Sequence, residues 1–152
     1  MTTLSTRKKA GSIAIDSYAT VSGGIANQAG NGIVDLADAG YSIVGGGEAN
    51  TAGGSRSTVS GGFSNAASAW GATVPGGTKN TAAGMNSLAA GNRAKANHNS
   101  AFVWADSTDA DFASTAENQF AVRAVGGVWF TSVLGDMFRM LPNSTAPNII
   151  GG

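Results

Sequence analysis

Between residues 57 and 91 the apolar and small polar positions recur in steps of fifteen: Ser57-Thr58-Val59-Ser60-Gly61-Gly62, Ala72-Thr73-Val74-Pro75-Gly76-Gly77 and Ser87-Leu88-Ala89-Ala90-Gly91-Asn92. A short, fixed internal period means one small supersecondary unit stacked on copies of itself. The frame extends outward as Ala19-Thr20-Val21-Ser22-Gly23, as Ser42-Ile43-Val44-Gly45-Gly46 and, more weakly, as Phe102-Val103-Trp104-Ala105-Asp106, so the array covers residues 12–106. From Thr20 to Ile43 the step is 23, and the stretch from Asn31 to Gly40 reads as a degenerate coil in preference to a bulging insertion.

Each unit holds a short β-branched or apolar stretch, a glycine pair and a small polar run such as Ser64-Asn65-Ala66-Ala67-Ser68. That content suits two short strands joined by two tight turns, because Gly and Asn tolerate the positive φ of such corners. Helical spacing of apolar residues is absent, and the 23 glycines would each cost about 1 kcal/mol inside a helix. The expected fold is all-β, a β-solenoid with coils of about fifteen residues. Stacking brings the third position of the frame into one column, Val21, Val44, Val59, Val74, Ala89 and Trp104, while the second and fourth positions point the other way.

Beyond Ser107 the pattern changes. Residues 119–124 alternate with period two, Gly126-Gly127 supplies a turn and residues 128–132 return, which reads as a hairpin, with a third strand over Met137 to Leu141. The expected organisation is an N-terminal arm over 1–11, the solenoid over 12–106 and a C-terminal β region over 107–152. That last region holds Phe112, Phe120, Trp129, Phe130 and Phe138, and is either a cap that closes the solenoid and locks an oligomer or a docking tip.

The 42% apolar content hides how little bulk is present, since alanine supplies 27 of those residues. One column of valines buries too little area, at about 25 cal/mol per Å², to offset the ordering of so many residues. A lone chain is therefore expected to be marginal and to self-associate. Charged residues make up only 12%, with zero net charge, which excludes the basic field of a nucleic-acid binder; no apolar run is long enough to insert into a membrane as a helix. The cluster Arg7, Lys8, Lys9 lacks the apolar stretch of a secretory signal and reads as a solvated arm.

Candidate chemistry is sparse. With no cysteine there is neither a disulfide nor a thiolate metal site. The single histidine, His98, has no partner at metal-ligand or helical spacing; it is a turn residue, or one third of a site on a threefold axis. Asp106, Asp109 and Asp111 offer oxygen ligands for a hard cation or form a solvated turn that ends the repeats. The expected cofactor content is none. Asp16, Asp35, Asp38 and Glu48 are scattered, without the paired carboxylates of a polysaccharide-cleaving enzyme, and no phosphate-binding glycine pattern occurs. Tyr18, Tyr41, Phe63 and Trp70 fall near the turns, where rings either fill corners or stack on sugars.

The Ser12-Ile13-Ala14-Ile15 and Ser42-Ile43-Val44-Gly45-Gly46 copies and the run from Ser87 to Ala96 resemble the head repeats of trimeric autotransporter adhesins. The Thr-Val-Ser-Gly-Gly and Asn-Thr-Ala copies are similar to hemagglutinin-like repeat proteins and to phage fibre segments. The resemblance covers residues 12–106 and implies a left-handed parallel β-roll in a homotrimer. Here the third position of the frame carries the large apolar residue, whereas the adhesin frame places it at the second and fourth, which would exchange the interior and trimer faces. The chain shows no signal peptide, coiled-coil stalk or membrane anchor. The expected role is thus a non-enzymatic virion fibre, tail-tip or capsid decoration subunit at the virion surface, contacting other virion proteins or a host-surface glycan. The alternatives are the extracellular head of a bacterial surface adhesin and, third, a depolymerase.

Overall fold

The computed structural model describes residues 11–31, 40–131 and 137–140. The basic cluster at 7–9 and the stretch 32–39 lie outside the described residues. In chain order the strands are β1 Ile13–Ala14, β2 Thr20–Val21, β3 Gln28–Ala29, β4 Ile43–Val44, β5 Thr51–Ala52, β6 Thr58–Val59, β7 Ala66–Ala67, β8 Thr73–Val74, β9 Gly77–Thr78, β10 Thr81–Ala82, β11 Leu88–Asn92, β12 Ala94–Ala96, β13 Phe102–Ala105, β14 Phe112–Ala113, β15 Phe120–Arg123, β16 Val128–Thr131 and β17 Met137–Met140.

These strands form a parallel β-solenoid of about seven turns. Each coil gives one strand to a seven-stranded sheet, in the order β1-β3-β5-β7-β10-β12-β14, and one to an eight-stranded sheet, β2-β4-β6-β8-β11-β13-β15, with β9 joining β11. Thr-Val pairs suit these rungs because β-branched side chains pack well on a pleated surface. Alternation turns Val44, Val59, Val74 and Ala89 inward from the eight-stranded sheet, and Ala29, Ala52, Ala67, Ala82 and Ala96 inward from the other, all in one buried cluster. Among the described residues valine is the largest apolar side chain that is fully buried. Val21, in the outermost described rung of its sheet, is half-buried.

Three expectations change. Rungs β2 and β4 pair directly, Thr20 with Ile43, as do β3 and β5, Gln28 with Thr51. The step of 23 residues therefore separates adjacent rungs and spans one coil instead of two. Second, Ala89 pairs with Val103, and Trp104 pairs with Ala90 on the outside, where it is 39% exposed. The inward column therefore passes through Val103, and Ala121 of β15 joins the same buried cluster. The cause is local: where neighbouring coils have a glycine pair, this one has the single Gly91, whose partner Gly77 is fourteen residues back. Third, the solenoid does not stop at 106. Rungs β14 and β15 extend both sheets, so Phe120–Arg123, expected as the first strand of a hairpin, joins the eight-stranded sheet.

The chain divides into two compact units, Met1–Val122 and Arg123–Gly152. In the second, the antiparallel hairpin lies one strand later than expected, between β16 and β17, with Val128 opposite Met140 and Thr131 opposite Met137.

Candidate functional site

A solenoid repeats whatever it displays at the spacing of its rungs, about 4.8 Å. At the corner that leads into the eight-stranded sheet, Tyr18 and Tyr41 adopt left-handed backbone, φ 60° and 68°, and so does Arg56 at 56°. Backbone bonds from the Tyr41 amide to Ser17 O and from the Arg56 amide to Gly40 O hold these corners in register. The Tyr18 and Tyr41 rings stack with centroids 4.9 Å apart and planes 5° apart. The Arg56 guanidinium continues the column, 5.7 Å from the Tyr41 centroid and 5.6 Å from that of Trp70. Three of the four sequence-nominated rings thus share one edge with an arginine that composition did not flag.

The fourth ring, Phe63, stands at the opposite corner, in a bridge column with Ile25, Glu48 and Thr78. Behind that column lies a feature not anticipated from the sequence. Asn27, Asn50, Asn65 and Asn80 form a buried ladder: each Nδ2 donates to the glycine carbonyl four residues back and to a glycine carbonyl of the next coil. Each Oδ1 accepts the amide of the equivalent residue one coil on, ending at Ala94. Ser12 opens the ladder by accepting the Asn27 amide and donating to Gly24 O. The signal was present as Gly-Gly-x-x-Asn, but polar residues after a glycine read as turn by default.

The ion candidates resolve into ordinary contacts. Arg93 holds Asp111 at 2.8 Å and Asp109 at 3.3 Å, and Asp106 accepts the Thr108 amide, so two of the carboxylates share one arginine and the third bonds within its own turn. His98 does have a partner: its Nδ1 lies 2.8 Å from Ser114 Oγ. Ser114 also accepts the amides of Asn97 and His98 and is 4% exposed, which makes it a corner hub, not an accessible nucleophile. Among the described residues no three His, Cys, Asp or Glu side chains gather as a metal site.

Two buried hydroxyls, Ser42 Oγ and Ser57 Oγ, have no partner among the described residues. Equivalent positions in this column are Ala72, Ser87 and Ala101, all buried, and of these Ser87 alone carries a hydroxyl, which donates to Gly84 O. Ser57→Ala is therefore expected to raise stability by about 1 kcal/mol by removing an unsatisfied polar group. Equilibrium urea unfolding measures it, and a loss of stability would show that the hydroxyl is bonded in solution.

Among the described residues, the outer face of the eight-stranded sheet carries no charged side chain at its rung positions. From Thr20 and Ser22 at one end it becomes Leu88, Ala90, Phe102, Trp104 and Phe120 at the other. Phe102 and Phe120 stack at 4.7 Å, and Ile43 and Phe120 remain 43% and 62% exposed. The chain matches no family model, no curated protein and no solved structure.

Proposed function

We propose that this chain is a non-enzymatic structural and adhesive subunit that works as a homotrimer on a virion surface, as a fibre, tail-tip or decoration element that engages a host surface. The observation that carries this reading is the uncharged outer face of the eight-stranded sheet, apolar toward β13 and β15, on a solenoid whose interior holds only valine, alanine and small polar groups. Exposed apolar patches of this kind mark association surfaces, and three parallel copies bury three such faces against one another. Trimerisation then presents each corner column three times, which multiplies a weak contact by avidity. Placement on a virion rests on the resemblance of the Thr-Val-Ser-Gly-Gly copies to phage fibre segments.

Light scattering on the purified chain should return three times its 15.0 kDa mass. Converting Trp104 and Phe120 together to Asp should shift that mass to the monomer, because burying six carboxylates at one axis is prohibitive. A monomer mass for the unaltered chain would overturn the trimer. Sedimentation with purified particles should recover the protein in the virion fraction; recovery in washed bacterial envelopes would favour an adhesin head.

A further inference from the structure

Within the corner column the spaces between neighbouring rings are already occupied. Tyr18 and Tyr41 cover one another at 4.9 Å, and Arg56 fills the space between Tyr41 and Trp70. A sugar therefore cannot be sandwiched within this column by aromatic stacking, which is how exposed rings at a corner ordinarily take a neutral saccharide. What the column offers instead is an edge. The Arg56 guanidinium carbon lies 5.7 Å from the Tyr41 centroid and 5.6 Å from the Trp70 centroid, so cation–π contacts place an exposed planar N–H fork at this edge. Among the described residues that fork has no carboxylate partner; the ion pairs go to Arg93. Arg56 is placed at this edge by its amide bond to Gly40 O and by its ring contacts with the coils on either side.

We propose that this edge binds a carboxylate-bearing saccharide, with Arg56 taking the carboxylate through two parallel N–H···O bonds. A fixed planar fork matches two coplanar carboxylate oxygens and gives geometric selection that a point charge does not. Repetition of the site by three chains suits a polymer with an acid group on each unit. The proposal rests on the adhesive reading given above and narrows its ligand to acidic glycans.

The test uses the full-length assembled protein and three probes of equal length: oligogalacturonate, the same oligomer with its carboxyl groups reduced, and a sulfated neutral oligosaccharide. Calorimetric titration should show binding of oligogalacturonate, with the reduced oligomer about tenfold weaker or absent and the sulfated one weaker than the carboxylate. Arg56→Asn, which tolerates the left-handed backbone, should weaken oligogalacturonate binding by about tenfold without altering the light-scattering mass. Arg56→Lys, which keeps the charge and loses the fork, should also weaken it several-fold. Equal binding of the reduced oligomer, equal or tighter binding of the sulfated one, unchanged affinity in either variant, or no binding of oligogalacturonate would each overturn the proposal. Equal binding of the reduced oligomer would leave the adhesive reading standing, whereas a monomer mass would strike the trimer and leave the saccharide site of each chain to be judged by the titrations.

Discussion

Gly62→Ala is expected to destabilise the protein by about 4 kcal/mol or more, while Gly61→Ala, one residue earlier, stays within about 1 kcal/mol of the parent. Gly62 sits at φ +92°, and a Cβ there would run into Gly77 O and come within 2.8 Å of Asn65 Nδ2 and 3.0 Å of Gly77 N. Two of those three atoms are backbone of the next coil, fixed in turn by the Phe63 amide bond to Gly77 O, so they cannot give way locally. Gly24, Gly47, Gly77 and Gly91 share the arrangement: φ is positive and the nearest obstacle is a carbonyl of the following coil. Gly61 has no positive φ, and its nearest neighbour is Gly46 O at 3.8 Å. Alanine fits there and lowers the entropy of the unfolded chain. Urea unfolding at matched protein concentration separates the two, since oligomer stability depends on concentration. Equal losses in both variants would show that the coils are not spaced as described.

The second large effect is expected from Asn65→Ala, a loss of about 3 to 5 kcal/mol. The side chain donates to Gly61 O at 3.0 Å and Gly77 O at 2.9 Å and accepts the Asn80 amide at 2.9 Å. Asn80 is fully buried, so its amide would be left without a partner or water, and each such group costs about 1–3 kcal/mol. The Phe63 amide still satisfies Gly77 O, which limits the damage there. Asn65→Ser should fall between parent and alanine, because Ser12 performs the accepting half of the same role for the Asn27 amide. A loss below about 1 kcal/mol for Asn65→Ala would mean that the ladder adds nothing beyond the strand hydrogen bonds. Buried polar bonds between coils supplement a core that apolar area alone leaves thin.

The coil period and the inward valines were legible because both depend on short-range rules. Strand alternation assigns Val44, Val59 and Val74 to one face whatever the rest of the chain does. The sixth member of that column was misplaced because coil length is not constant. One glycine fewer near Gly91 moves Val103 inward and Trp104 outward, since a one-residue slip exchanges faces. The rings at 18, 41 and 70 were legible as corner residues, but not Arg56 between them. Its role depends on side chains fourteen or fifteen residues away on either side.

The glycine pairs mark the boundary between the two kinds of knowledge. By itself the sequence determined an all-β chain, a fifteen-residue period, a β-branched inward stripe and glycine at one corner, because backbone sterics and alternation act over a few residues. Only the tertiary structure decided which glycine of each pair is irreplaceable, that Thr20 and Ile43 lie on adjacent rungs, that the asparagines bond from coil to coil and that Tyr18, Tyr41, Arg56 and Trp70 form one edge. Each of those facts is a contact with the neighbouring coil, and its partner is set by the summed lengths of the turns between them. No local rule fixes that sum.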